Sequence, residues 1–253
     1  MKKRAFATST VSLILLILSS IPWTSQGAAQ QTKPGATLTG TVKFAGPVPP
    51  TERMEAAVDV DVCGKQPIFS ETLLVHPKRK GIKNVLVTLT NADRQKRELP
   101  TAPGSSITFD QEGCVFTKHL LVVPVGSTVE FKNSDPVLHN VHTYSRKNSA
   151  FNEGIPAHGS FQTTFKYAER VKVGCDAHKW MNAYIVVADT PYFAVTNDTG
   201  DFSIEGIPPG TYKIRVWQEQ LGLAREGPKE IAILAGQDSH VEYTMKTKKA
   251  RSR

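Results

Sequence analysis

The sequence lacks the features that mark several common protein classes. It has only three cysteines in 253 residues, and aromatic residues make up 8% of it. Neither a glycine-rich phosphate-binding motif nor a Gly-x-Ser-x-Gly nucleophile motif occurs, which points away from P-loop enzymes and serine hydrolases. After residue 30, no apolar run reaches the roughly 20 residues that a membrane-spanning helix needs. Convincing amphipathic helices are also lacking; only residues 52–60 suggest a short one.

The first 29 residues have the three-part organisation of a secretory signal peptide. The basic residues Lys2, Lys3 and Arg4 precede an apolar run at residues 11–18, and the small residues Gly27-Ala28-Ala29 follow. The apolar run is too short to span a bilayer. We therefore predict that residues 1–29 are removed and that the mature protein is periplasmic or secreted, without a membrane span. An uncleaved membrane anchor is the alternative.

The formal net charge of +8 is concentrated at the two ends of the chain. The signal peptide carries three bases, and the tail from Lys246 to Arg253 carries five. The part between them is neutral, with 23 bases and 23 acids. A nucleic-acid binder is expected to carry a basic face within its folded part. The composition therefore predicts no nucleic-acid partner and a solvated basic tail at residues 247–253.

Period-two alternation of apolar and polar residues recurs along the mature chain and predicts an all-β fold. Glycine, proline, asparagine and aspartate bound the alternating segments, as in sandwiches and barrels. The clearest apolar positions are Leu38, Val42, Phe44, Val85, Val87, Leu89, Val129, Phe131, Val171, Val173, Tyr212, Ile214, Val216, Val241, Tyr243 and Met245.

One short segment, residues 174–181, brings a cysteine, a histidine and a methionine close together in the sequence. Cys175, His178 and Met181 lie there, and His139 precedes the cysteine by 36 residues. A thiolate, two imidazoles and a weak thioether form the ligand set of blue-copper sites. Because Cys175 continues the apolar face of Val171 and Val173, we expect its sulfur to face the core. This pattern predicts one type 1 copper ion.

Four neighbouring side chains need separate interpretation. Met181 could simply fill the core instead of acting as an axial ligand. Strand alternation puts His142 on the opposite face from His139, as a structural or exposed residue, with a second metal site as the alternative. Trp180 could pack against a second domain or line a docking surface beside His178. His119 shows no ligand spacing and is expected at the surface.

If Cys175 is a metal ligand, Cys63 and Cys114 remain as a pair that an oxidising compartment would join. Such a disulfide would close a loop of about fifty residues and stabilise the fold by about 4 kcal/mol in the chain-entropy model. Two free thiols are the alternative.

Residues 107–188 resemble the cupredoxins, the family of plastocyanin and amicyanin. The similarity rests on His139-Asn140-Val141-His142, on Cys175-x-x-His178-x-x-Met181, and on the strand positions Phe116, Leu120, Val122, Gly126, Val129, Phe131 and Asn133. The resemblance implies a Greek-key sandwich or barrel with His139, Cys175, His178 and Met181 as copper ligands. It also implies that Asn140 braces the two ligand loops. Asp176, Ala177 and Leu138 stand where the family commonly has proline.

Residues 192–217 resemble the carboxypeptidase-regulatory or transthyretin-like β-sandwich. That similarity rests on Thr196, Gly200, Phe202, Ile204, Pro208, Pro209, Gly210 and Tyr212. Residues 40–42 and 85–89 would supply earlier strands of the same sandwich. We therefore predict a second, smaller sandwich from residues 36–98 and 190–246, split by a cupredoxin-like domain at 99–189. Two consecutive domains are the alternative.

The ligand set and the resemblance together predict a periplasmic blue-copper protein that transfers single electrons to and from a partner protein. Electrons would enter through His178, taken to be the more exposed ligand. A copper carrier without redox partners would have the same ligands. A third hypothesis is an envelope- or carbohydrate-binding sandwich with a vestigial or zinc site. An enzyme is not expected, because copper oxidases and nitrite reductases need a further copper centre and no second ligand cluster is visible.

Overall fold

A computed structural model describes residues 35–91 and 107–247, which belong to one compact unit. The predicted signal peptide at 1–29, the start of the predicted inserted domain at 99–106 and residues 248–253 of the predicted tail lie outside the described residues. No helix in the described part of the chain is long and apolar enough to cross a membrane.

The predicted all-β class with two sandwiches is confirmed. The helix suggested for residues 52–60 is not found; the short helix α1 spans Val60–Cys63 instead. The strands in chain order are β1 Ala36–Phe44, β2 Arg53–Met54, β3 Ile68–Phe69, β4 Leu86–Asn91, β5 Ile107–Glu112, β6 Val115–Phe116, β7 Leu120–Pro124, β8 Thr128–Asn133, β9 His139–Thr143, β10 Asn152–Ile155, β11 Ser160–Thr164, β12 Glu169–Gly174, β13 Asn182–Ala188, β14 Phe193–Val195, β15 Asp201–Ile207, β16 Gly210–Gln218, β17 Gly222–Leu223, β18 Glu230–Ile233 and β19 Ser239–Met245.

The first sandwich consists of two sheets, ordered β10-β9-β12-β13-β7 and β11-β8-β5-β6. Their inner faces enclose one core that includes Phe109, Phe131, Val173 and Ile185. The alternation seen in the sequence explains this arrangement, because Val171 and Val173 of β12 are buried while Arg170 and Lys172 face outward. The metal-ligand candidates lie on strand β9 and in the loop between β12 and β13.

The second sandwich packs a β15-β1-β19 sheet against a sheet of β14, β4, β16, β17 and β18. Its separate core includes Leu38, Val87 and Tyr212. Strand β1 pairs in parallel with β19, from Leu38 opposite Ser239 to Phe44 opposite Met245. The domain boundaries given above stay a prediction, because the described residues form a single compact unit.

A third apolar cluster joins the two sandwiches. Leu86 of β4 packs with Leu120 of β7 and Val186 of β13. His119 is beside this cluster; it is only 8% exposed, and its Nε2 contacts the carboxylate of Glu219. The expectation that His119 lies at the surface is therefore wrong, because a carboxylate from the other sandwich covers it.

A disulfide joins Cys63 to Cys114, as the sequence predicts, with their Cα atoms 5.4 Å apart. It ties α1 to the turn between β5 and β6. Cys63 and Ile68 consequently pack in the first core, although the sequence assigned residues 36–98 to the second sandwich. The segment around α1 is therefore held next to the ligand loops.

Candidate metal centre

The structure brings the predicted ligand residues together at one end of the first sandwich. His139 begins β9, and Cys175 directly follows β12. Single ligand atoms of His139, Cys175 and His178 lie within 4.8 Å of one another, and all three residues are buried. Met181 closes the loop. Its amide donates to the His178 carbonyl (2.9 Å), its carbonyl accepts from the Cys175 amide (3.2 Å), and it is 2% exposed.

Both imidazoles point the same ring atom into the site. The two Nδ1 atoms of His139 and His178 are 2.9 Å apart, and the His178 Nδ1 is 3.7 Å from the Cys175 sulfur. The outer Nε2 of His139 faces the Asp135 carboxylate at 2.9 Å. The outer Nε2 of His178 faces the Asp59 carboxylate at 3.0 Å.

These contacts define which ring nitrogens are free to bind a cation. An ionised carboxylate only accepts hydrogen bonds, so each Nε2 carries the proton and donates it to its aspartate. Burial lowers the pKa of His139, and the opposing effect of its hydrogen bond to Asp135 does not reverse that direction. In this tautomer the two Nδ1 lone pairs face each other across 2.9 Å. A cation bound by both nitrogens removes this repulsion, so the residues fit a metal ion.

The donor types fit copper. Cys175 is the free cysteine of the described residues and is 3% exposed. A thiolate and two imidazoles with a nearby thioether suit copper in both of its common oxidation states. The ligand group of His139, Cys175 and His178 includes no carboxylate oxygen, so hard-ion ligation of the magnesium or calcium type does not fit.

Asn140 connects the two ligand loops. Its side-chain oxygen accepts from the amides of Asp176 (2.6 Å) and Ala177 (3.1 Å), and the Cys175 sulfur lies 3.2 Å away. The amide of Asn140 points at the same sulfur, at 3.5 Å. Hydrogen bonds of this kind orient a ligand and tune the metal.

The segment that includes α1 covers the site, and this overturns one expectation. His178 is fully buried, because Asp59 and the segment tethered by the disulfide lie over it. His178 is therefore not the exposed ligand through which electrons were expected to enter. Trp180 is 8% exposed; its indole N–H donates to the Cys114 carbonyl at 2.9 Å, and its ring contacts His178. Its ring therefore packs inside the molecule and does not form an exposed docking surface.

Sequence reasoning missed the two aspartates that orient the histidines. Asp135 is 6% exposed and also accepts from the amides of Gly113 and Cys114. Its spacing of four residues before His139 was a usable signal in the sequence. Asp59 lies 119 residues before His178, and no local pattern could have indicated it.

Two neighbouring groups do not add a second centre. His142 is half-buried and bonds through Nδ1 to Asp176 at 3.0 Å, outside the ligand group. Cys114, Asp135 and His139 also lie close together, but the Cys114 sulfur is already in the disulfide.

A comparison with family models matches residues 157–241 to "Polysaccharide lyase family 4, domain II", less than half of the chain. The matched segment includes strands of both sandwiches. No curated protein matches the chain.

Solved copper proteins are among the similar structures. The Cu-containing nitrite reductase of Thermus scotoductus SA-01 is 20% identical over 39% of this chain, at a TM-score of 0.33. This chain spans only 27% of that reductase. An oxidised mutant of amicyanin is 23% identical over 40% of this chain and 99% of its own (TM-score 0.32), and a purple cupredoxin of Nitrosopumilus maritimus is 22% identical over 33% and 99% (TM-score 0.29). Scores at this level assign neither a metal nor an activity to this chain.

Proposed function

We propose that this chain is an exported type 1 copper protein that carries single electrons and is not an enzyme. The convergence of His139, Cys175 and His178, with Met181 buried beside them, is the observation that supports this most strongly. Copper, when bound, supplies a one-electron oxidation and reduction in this setting.

The residues have distinct roles in this proposal. His139 and His178 offer their Nδ1 atoms, Cys175 offers a thiolate, and Met181 offers a weak thioether. Asp135 and Asp59 hold the imidazole tautomers, and Asn140 holds the two loops at a fixed separation. Because the four candidate ligands are already buried and the two rings are hydrogen-bonded to their aspartates, little has to move when the charge at the site changes. This rigidity suits electron transfer to a periplasmic partner.

The spectrum of the copper-loaded protein tests the ligand assignment. Adding Cu(II) is expected to give an intense visible band that arises from charge transfer between the thiolate and copper. Cys175→Ser removes the thiolate and should abolish the band. His142→Gln is the matched control, since His142 lies outside the ligand group, and it should keep the band. A wild-type protein that binds Cu(II) without this band would exclude the type 1 assignment.

A copper carrier would use the same donors but release the metal. Full burial of His139 and His178 favours slow exchange and therefore the electron-transfer role. Transfer of Cu(I) to a soluble chelator within seconds would instead support the carrier.

A glycan-binding module is the second candidate, favoured by the match of residues 157–241 to a polysaccharide lyase domain. In that case Cys175→Ser should bind polysaccharide as well as the wild type does. Absence of binding to neutral and acidic glycans by both proteins would remove this candidate.

A further inference from the structure

A wide cleft lies between the two sandwiches and is lined by many basic residues. Its volume is about 1420 Å³. This exceeds the roughly 300–1,000 Å³ of ordinary small-molecule pockets. Six cationic side chains line it, against the two acids Glu169 and Asp189. The cations are Arg146, Lys147, Arg170, Lys172, Lys213 and Arg215.

None of these six cationic groups forms an ion pair with a carboxylate among residues 35–91 and 107–247. Some cations elsewhere in the same part of the chain are paired, such as Lys43 with Glu242, Lys83 with Asp198 and Lys132 with Asp110. Glu169, one of the two acids of the cleft, already accepts from the backbone amides of residues 146–148. The cleft is therefore a local positive field on a body that is neutral overall.

Four of the six cations come from strands, two from each sandwich. Arg170 and Lys172 are two residues apart on β12 of the first sandwich. Lys213 and Arg215 are two residues apart on β16 of the second. Residues spaced by two along a strand project to the same side. The two strands thus present four positive charges, and a complementary occupant carries several anionic groups.

The aromatic rings of the cleft are already in contact with protein groups. Arg170 lies over Trp217 at 5.1 Å, and Tyr184 meets the edge of that ring. His142 stacks on Tyr144 at 4.3 Å, and Lys172 lies 6.0 Å from the same ring. Single-stranded nucleic acids are usually held by bases stacked on open aromatic faces. These four contacts favour an occupant that is recognised by its charge over one that is recognised by stacking.

We propose that the cleft docks a partner protein through a surface patch of clustered carboxylates. Complementary charge on such a patch speeds encounter and fixes orientation. A chain of contacts leads from the cleft towards the candidate metal centre: Tyr144 of the cleft stacks on His142, which bonds to Asp176 beside Cys175. If the proposed copper function holds, the docked protein is the redox partner. Since His178 is buried and offers no exposed ligand for electron entry, the partner docks at the cleft instead.

Binding of poly-L-glutamate to the full chain without added metal tests the docking surface independently of copper. Lys213→Glu/Arg215→Glu reverses two charges on β16, and Arg146→Glu/Lys147→Glu does so in the other sandwich. Lys78→Glu/Arg225→Glu is the control, because both residues are exposed, lie outside the cleft and change the net charge equally. At low salt we expect each cleft variant to weaken binding by about tenfold or more and the control by much less.

Three results would overturn the proposal. The first is an equal loss of binding in the control, which would mean that only net charge matters. The second is tighter binding of polygalacturonate or of an oligothymidylate than of poly-L-glutamate, since the occupant would then be a glycan or a nucleic acid. The third is no binding of poly-L-glutamate by the wild type at low salt. Circular dichroism of each variant shows whether it is still folded, so weaker binding by a folded variant is due to its changed surface charges.

Discussion

At the scale of single residues, Asp135 and Asp59 orient the rings of the two candidate ligands His139 and His178. Asp59 holds an unusual position: its φ of +48° lies in the left-handed region, which costs a non-glycine residue about 1–3 kcal/mol. Its carbonyl accepts from the amides of Val62 and Cys63, and its side chain bonds His178. Asp59 thus keeps a strained backbone conformation at the position where its side chain orients His178.

Substitution of Asp59 should change metal binding and leave the fold intact. Asp59→Ala removes the acceptor that fixes His178, so copper affinity should fall by about 10–100-fold. Asp59→Asn keeps an acceptor but removes a negative charge, so we expect a smaller loss of affinity and a higher reduction potential, because Cu(II) is stabilised less. Competition with a chelator and voltammetry measure the two effects.

Asp61→Asn is the matched control for Asp59. It removes the same charge from an exposed position in the adjoining short helix, and no hydrogen bond joins Asp61 to either His139 or His178. Equal changes in the Asp59 and Asp61 variants would show that only the total charge near the site matters.

The convergence of the candidate ligands was predictable because most of them are close in the sequence, while their environment was not. Cys175, His178 and Met181 occupy one loop, and strand alternation alone places the sulfur inward. The exposure of His178 was predicted wrongly because its cover comes from residues 59–63, more than a hundred positions away. A disulfide pairing could be inferred from three cysteines, but the side of the molecule to which it ties α1 could not.

At the scale of elements, the backbone of strand β1 lies very close to the loops around Gly81 and Gly200. Gly200 has a φ of +82°, and a Cβ there would lie 2.5 Å from the Val42 carbonyl oxygen and 2.6 Å from the Gly81 Cα. Gly81 itself faces the Thr199 carbonyl at a distance that leaves no room for a side chain. The turn at residues 197–200 therefore packs against β1.

Replacing Gly200 with alanine should destabilise the second sandwich strongly. Gly200→Ala combines left-handed strain of about 1–2 kcal/mol with a backbone clash, for a total of about 3 kcal/mol or more. Gly206→Ala is the control: its φ is also positive, at +68°, but nothing lies within 4 Å of the added Cβ. It should cost only the strain. Urea denaturation measures the free energy of unfolding of both variants. Equal decreases in the two variants would contradict a backbone clash at Gly200.

At the scale of the whole molecule, two cores are coupled by one small apolar cluster. Strand β13 shows how the sequence signals this: Ile185, Val186 and Val187 are consecutive and all buried, so both faces of the strand are covered. The sequence thus indicates that β13 has a second neighbour. Val85, Leu86 and Val87 form a similar run of consecutive buried apolar residues at the start of β4. Neither run identifies its neighbour, because a run of this kind does not show which surface covers it.

Leu86→Ala should uncouple the two sandwiches. The substitution is expected to cost about 2–5 kcal/mol and to split a single calorimetric transition into two. Leu89→Ala on the same strand removes the same atoms from the second core instead. It should cost as much but leave the coupling intact. A single sharp transition in both variants would show that the coupling resides elsewhere, as in the contact between His119 and Glu219.

The parallel pairing of β1 with β19 has a consequence for the order in which the chain folds. Residues 36–44 meet residues 239–245 only after everything between them exists, and closing so long a loop is entropically costly. Pairings of such high sequence separation form slowly. The strands of the first sandwich are nearer to one another in the sequence, so we expect the ligand loops to assemble first. The second sandwich closes afterwards, and the edge of β1 that pairs with β19 is the last strand edge exposed to aggregation during synthesis.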